Sequence, residues 1–262
     1  MASNHTPTII TVANQKGGVA KTTTAVNLTA CIAEAGKRTL LVDMDPQGGC
    51  AVCLGMDTTT MERSIYDALV RPDVGIADVS VTTDFNFDLA PANIDLAGAE
   101  IELKQALAAE TVLQRKLKPV LDQYDYIVID TPPSLGILTV NSLTAANRVL
   151  IPISAEYMAL RGLRMLLDML DNVREVTNPG LEVMGILATR YDARTINSRE
   201  VYEYLGEFCK RDGLHLFAEV IKQSVRFAEA PGYHMPLALW RRDLDGAKQY
   251  QKLAAEVLNG KG

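Results

Sequence analysis

No window of this chain holds the ~18 uninterrupted apolar residues that a membrane-spanning helix needs, which argues against a transmembrane protein. The polar start, Met1–Pro7, and the short apolar run Thr8–Ala13 do not make a signal peptide, so a cytoplasmic protein is expected. Histidine is scarce, with His5, His215 and His234 scattered along the chain. Four cysteines (Cys31, Cys50, Cys53, Cys209) are too few for a disulfide framework in 262 residues. Cys50 and Cys53 have C-x-x-C spacing, but no second Cys or His pair accompanies them, so reduced thiols are expected rather than a metal or redox centre. Positive charge is not in excess either. The net charge is −6, which excludes a uniformly basic nucleic-acid binder. The balance is uneven, however: Ile186 to Gly262 carries twelve Lys/Arg against ten Asp/Glu, leaving fourteen against twenty-two before it. That asymmetry permits a local basic patch in the C-terminal third.

What is present is an alternation of short apolar runs and longer amphipathic stretches. Thr8–Ala13, Thr39–Val42, Tyr126–Ile129, Val149–Ile153 and Val183–Ala188 are rich in β-branched residues and read as buried strands. Thr22–Ala35, Glu100–Gln123, Leu160–Val176, Ser198–Lys210 and Asp245–Leu258 read as helices. Strands apolar on both faces and separated by helices predict an α/β fold, a doubly wound, mostly parallel sheet covered on both sides. Thr58–Ala97 is the least regular stretch, with a helix near Ser64–Leu69 and an edge strand near Phe87–Leu89. Neither a repeat nor a linker interrupts the pattern, so residues 1–262 are expected to form a single domain.

Directly after the first strand comes Asn14-Gln15-Lys16-Gly17-Gly18-Val19-Ala20-Lys21-Thr22-Thr23-Thr24. The pattern G-x-x-x-x-G-K-[ST] fails, because Gln15 and Ala20 stand at its two glycine positions. The physics of such a loop remains. Paired glycines let backbone amides face phosphate oxygens, and a helix N-terminus adds its positive end. Lys21 is placed to meet the β and γ phosphates, and the Thr22 hydroxyl to ligate Mg²⁺. A Gly-Gly turn with no ligand is the bland alternative, which the full run in this context disfavours.

The run Lys16–Thr23, K-G-G-V-x-K-T-T, resembles the deviant Walker A motif of the ParA/MinD family, relatives of nitrogenase iron protein and the arsenical-pump ATPase. Three further stretches match in order: Val42-Asp43-Met44-Asp45-Pro46-Gln47-Gly48-Gly49 resembles the D-x-D-P-Q-G element, Ile129–Ser134 the Walker B region, and Val225–Gly232 the V-R-x-x-E-A-P stretch of chromosomal ParA proteins, also called Soj. The resemblance runs from Thr8 to about Leu258, and Ala20 is a mild departure.

This resemblance implies an ATPase that uses ATP and Mg²⁺, with Lys16, Gly17, Gly18, Val19, Ala20, Lys21, Thr22 and Thr23 around the phosphates. Lys16 is the family's signature lysine, which reaches the nucleotide of the partner subunit in a homodimer sandwiching two ATPs. A lysine supplied in trans does what an arginine finger does elsewhere. Lys16, Lys21 and Asp45 are therefore the expected catalytic residues, with Asp45 orienting the attacking water. Asp43 and Asp130 sit at strand C-terminal ends, where an open α/β sheet places its ligand. With Thr22 they are the expected metal residues, Asp130 through water. Arg190 is expected against the adenine, and Lys222-Gln223 stands where relatives often read Pro-Arg.

Chromosomal ParA proteins bind DNA without sequence specificity as ATP dimers, through basic residues in the C-terminal third. Arg194, Lys222, Arg226, Arg241 and Arg242 are the candidates here, with Arg199, Lys248 and Lys252 behind them. The phosphate loop begins within 14 residues of Met1, so no N-terminal helix-turn-helix extension is expected. The last helix ends at once in Asn-Gly-Lys-Gly, which disfavours MinD-like membrane targeting. Hydrolysis is expected to be slow alone and accelerated by a ParB-like or cargo-adaptor partner, on the nucleoid. Three functions compete: partition of chromosome or plasmid DNA, positioning of a protein cargo, and a metabolic enzyme of the superfamily such as a nitrogenase-type reductase or a biotin-pathway synthetase.

Overall fold

The computed structural model describes residues 6–156 and 159–260, with side chains at 159–161 and 228 set aside. The chain's first five and last two residues, on which the expectations about its termini partly rest, lie outside the described residues. Seven strands form one sheet: β1 (Thr8–Val12), β2 (Thr39–Asp43), β3 (Val81–Thr82), β4 (Asp88–Ala90), β5 (Tyr126–Asp130), β6 (Arg148–Ser154) and β7 (Glu182–Thr189). Their order is β3-β4-β2-β5-β1-β6-β7. Every pair is parallel except the β3–β4 edge.

The apolar runs are continuous because both faces are covered. Leu40, Val42, Ile127, Ile129, Val149 and Ile151 pack into one core cluster. Their neighbours Leu41, Val128 and Leu150 point the other way into a second. Period-two alternation thus divides each strand between two cores, as a sheet sandwiched by helices requires. Helices Lys21–Glu34 and Asp245–Leu258 cover the second face, where Val26, Leu28, Tyr250 and Leu253 are buried. Helices Ile137–Ala145, Ala159–Val176 and Ile196–Asp212 cover the first.

Most of the expected elements form, with their ends set by local chemistry. Ser64 caps the helix Ile65–Val70, accepting from the Tyr66 amide while Asp67 accepts from the Ser64 amide. Thr195 caps Ile196–Asp212, and Gly213, at φ 67°, ends it.

One expectation is corrected. Glu100–Gln123 is not a single helix but Leu96–Gln105, a 3₁₀ turn Ala109–Thr111, Val112–Leu117 and a second 3₁₀ turn Lys118–Gln123. Ala108 takes a left-handed φ of 52°, which no helix tolerates. The break is held from outside: the Asn141 amide donates to the Ala109 carbonyl at 2.8 Å and accepts from the Leu113 amide at 3.0 Å. A buried side chain from another helix therefore replaces the bonds that the helix gives up. Pro119, within the second 3₁₀ turn, then prevents Val112–Leu117 from continuing.

Candidate functional site at the strand ends

The chain leaves β1 toward β2 on one side and later crosses from β5 to β6 on the other, so a crevice opens at the C-terminal ends of the central strands. Five strand ends deliver residues to it. The loop after β1 carries Asn14–Ala20, β2 ends in Asp43 with Asp45 beyond it, β5 ends in Asp130, β6 ends in Ser154 with Glu156 beyond it, and Arg190 follows β7.

The loop is braced by side chains rather than by glycine alone. Asn14 accepts from the Lys16 amide at 2.9 Å and donates to the Pro152 carbonyl at 2.7 Å. The Thr189 hydroxyl donates to the Val19 carbonyl at 3.0 Å, and Arg190 donates to the Gly18 carbonyl at 3.2 Å. Gly18 and Ala20 are both left-handed, at φ 73° and 68°. Ala20 is the cap of helix Lys21–Glu34, and its position explains why the common motif has glycine there. An L-residue in this region costs about 1–2 kcal/mol. Ala20→Gly is accordingly expected to raise stability by about 1 kcal/mol, since part of the gain is lost to chain entropy. For a chain of this size that is roughly 2–4 °C in melting temperature. A fall on calorimetry would mean that the Ala20 methyl contributes packing that outweighs its strain.

Lys21 is buried, and its ammonium donates to the Lys16 carbonyl at 3.3 Å, folded over its own loop. Burial pushes its pKa down, while Asp130 and Asp45 pull it back up. Thr22 donates to Asp130 Oδ2 at 2.6 Å. Asp43 and Asp130 are fully buried, and loss of water raises both of their pKa values; each also repels the charge of nearby carboxylates. Asp43 takes the Asp45 and Cys50 amides, each at 3.0 Å, so its carboxylate also shapes the loop. Asp45 is half-buried and accepts from the Gln47 amide at 3.0 Å. Gly49 lies so close to Thr22 that an added Cβ would meet its methyl at 3.0 Å.

The residues present fit a divalent cation and a polyphosphate. Asp130 Oδ1 is buried and has no hydrogen-bond partner among the described residues, and the other carboxylate oxygen is already turned to Thr22. A hard cation between a hydroxyl and a carboxylate would satisfy that atom and relieve the repulsion between Asp43 and Asp130. Cys50 joins this group: its thiol is buried 3.7 Å from Asp130 Oδ2, and one ligand atom each from Asp43, Cys50 and Asp130 lie within 4.8 Å. Burial and the neighbouring carboxylates push the Cys50 thiol pKa well up, and all four cysteines are free. Cys53 is also pushed up, to about 11, chiefly by burial.

Beside the loop a cavity of about 370 Å³ is lined by Gly18, Arg190, Lys222, Gln223, Ser224 and Phe227, among others. Arg190 and the Lys222-Gln223 pair thus line one cavity. They do so because Tyr191 donates to the Ile221 carbonyl at 3.1 Å and Gln223 to the Tyr191 carbonyl at 3.0 Å, stitching the segment to the end of β7. The residues proposed for DNA do not stand as bare cations. Arg194 pairs with Asp192, Lys222 with Asp245, Arg226 with Glu229, Arg241 with Asp243 and Arg242 with Glu34.

Sequence reasoning missed Glu156, Ser154 and Phe227. Lys16 is ion-paired with Glu156 and lies 3.4 Å from the Ser154 hydroxyl. The available signal for Glu156 was a charged residue just past the C-terminal end of a buried strand.

A braced loop between strand and helix, a buried lysine and a Thr–Asp pair define a P-loop nucleotide-binding protein. Comparisons with known proteins agree. A family profile described as "AAA domain" matches residues 7–183. Sporulation initiation inhibitor protein Soj of Bacillus subtilis is 46% identical, covering 95% of this chain and 97% of its own. Chromosome partitioning protein ParA of Myxococcus xanthus is 41% identical, covering 95% and 87%. Among solved structures, a cobyrinic acid a,c-diamide synthase from Mycobacterium smegmatis with bound ADP and magnesium has a TM-score of 0.84 at 39% identity, covering 97% and 94%. The chain belongs to the ParA/Soj family of P-loop ATPases.

Proposed function

We propose that this chain is a Mg-ATP-driven switch that pairs with a second copy when ATP is bound, holds DNA without sequence preference and resets by hydrolysis. Lys16 carries the reading. Its backbone belongs to the phosphate loop, yet its ammonium is engaged by Glu156 and Ser154 outside the cradle over which Lys21 folds. A second loop lysine, beside the Lys21 that already folds over the loop, suits a nucleotide across an interface. Magnesium, held by Thr22 and through water by Asp130, with Asp43 beside them, would neutralise charge on the β and γ phosphates. Lys21 balances the same phosphates in cis, Lys16 the partner's, and Asp45 orients the attacking water. Arg190 and the Lys222–Phe227 segment hold the base. Turnover is slow alone and rises with a ParB-like or cargo-adaptor partner, in the cytoplasm and on the nucleoid. Membrane attachment is not part of the reading. No described helix is long and apolar enough to cross a membrane, and the Asp245–Leu258 helix spends Ala247, Tyr250, Leu253, Ala254 and Val257 on the core.

The test is binding to random-sequence DNA with ATP and with ADP at two salt concentrations. Binding should need ATP and weaken with salt, each neutralised phosphate adding about −0.9 to the log–log slope. Arg194→Glu or Arg226→Glu should abolish it while ATP-dependent dimerisation survives. Equal binding with ATP and ADP, or none with either, would reject the DNA switch and favour positioning of a protein cargo on another matrix. A second reading, an ATP-dependent amide-forming enzyme, is favoured by the name of the Mycobacterium smegmatis relative. Turnover that responds to an organic acid substrate and not to DNA would select it.

A further inference from the structure

The Lys16 side chain is held by two residues from the far end of β6 rather than by its own loop. Among the described residues its ammonium has two holders, the Glu156 carboxylate in an ion pair and the Ser154 hydroxyl at 3.4 Å. Ser154 is buried at the end of β6, and the Glu156 amide doubles back to its carbonyl at 2.7 Å, which sets the backbone turn from which the carboxylate reaches Lys16. The other Glu156 oxygen lies 4.0 Å from the Arg190 guanidinium, and Arg190 in turn donates to the Gly18 carbonyl. One carboxylate therefore sits between two cations that both touch the phosphate loop. The hydrogen bond from Lys16 holds the Glu156 pKa below its usual value. The Lys16 backbone is secured separately, its amide donating to Asn14 Oδ1 at 2.9 Å, so the loop does not depend on the Glu156 pair.

An ammonium drawn onto this carboxylate and the Ser154 hydroxyl has fewer of its three donors left for a phosphate on another subunit, so the two compete for it. We propose that Glu156 is a positioning residue that parks Lys16 in cis, so that association of two ATP-bound copies must first break the Lys16–Glu156 pair. This rests on the reading of the chain as an ATP-dependent dimer. Arg190 then becomes the cation that stays with Glu156 after Lys16 leaves, which limits the cost of release. The pair is half-exposed, with 34% and 45% of the two side chains accessible, so its grip is that of a surface ion pair. Such pairs are each worth a factor of about 1.4 to about 5 in an equilibrium constant, and a symmetric dimer breaks two.

The experiment is sedimentation of the full chain across protein concentration, with Mg²⁺ and a non-hydrolysable ATP analogue. Glu156→Gln should lower the dimer dissociation constant between about 2-fold and about 30-fold. Glu156→Asp, which keeps the charge but shortens its reach, should fall between the two. The gap between wild type and Glu156→Gln should close at high salt, because screening weakens the pair in wild type only. A purely structural role for Glu156 would not give that salt signature. Dimerisation of Glu156→Gln at the wild-type concentration or above it would overturn the proposal. A wild-type chain that stays monomeric with the analogue would instead overturn the dimer reading beneath it.

Discussion

Lys21→Ala should raise the dissociation constant for ATP by between about 30-fold and about 4,000-fold, measured by calorimetric or fluorescence titration. Losing one partner of a buried charged contact costs roughly 2–5 kcal/mol, and tenfold in affinity is about 1.4 kcal/mol. Lys21 belongs in that class because its ammonium is buried within its own loop, close enough to Asp130 and Asp45 for both to raise its pKa. Without it, the phosphates would face Asp43, Asp45 and Asp130 with only backbone amides and the metal to offset them. Lys21→Arg should not restore binding, since the larger guanidinium must fit where the ammonium reaches the Lys16 carbonyl at 3.3 Å. ATP binding within a few-fold of wild type in Lys21→Ala would remove this residue from the phosphate site.

Asp45→Ala should separate binding from chemistry. Turnover is expected to fall by about 10²–10⁴-fold, the range contributed by a positioned proton acceptor. Affinity for ATP should change little, because Asp45 is only half-buried and its Oδ1 accepts from the Gln47 amide of its own turn. The ATP-bound state would then persist, so sedimentation should find dimer with ATP and monomer with ADP. Single-turnover hydrolysis at the wild-type rate would assign the role to another carboxylate. Asp43 is the weaker alternative, because its carboxylate already takes two backbone amides and is fully buried.

Much of the fold was legible because burial leaves a periodic trace. The long strands show apolar runs on both faces, and the helices Lys21–Glu34, Ile196–Asp212 and Asp245–Leu258 lie within a few residues of the expected spans. The helix Ile137–Ala145 left no such trace. Seven of its nine residues are buried, including Thr139, Asn141, Ser142 and Thr144, so no polar face marks its period. The break at Ala106–Ala108 was equally invisible, being held by Asn141 from a different helix. The site divides the same way. Its loop after β1 is one contiguous run, and the carboxylates Asp43 and Asp130, expected beside a metal, stand at recognisable strand ends. Phe227 and Glu156 reach the site only through tertiary placement, 37 residues past Arg190 in one case and 140 past Lys16 in the other.

The acidic partners of the basic residues proposed for DNA have a consequence for the timing of encounters. Arg194 with Asp192, Arg226 with Glu229 and Arg241 with Asp243 are local dipoles rather than isolated charges. A dipole's field fades faster with distance than a monopole's, and the chain as a whole is negative. Such a surface exerts little pull on DNA from afar and acts only on contact, when a phosphate displaces the carboxylate. Capture would then be slow for a DNA-binding protein, with an arrival rate that gains little from lowering the salt. Most of the ionic-strength dependence would appear in how long each complex lasts.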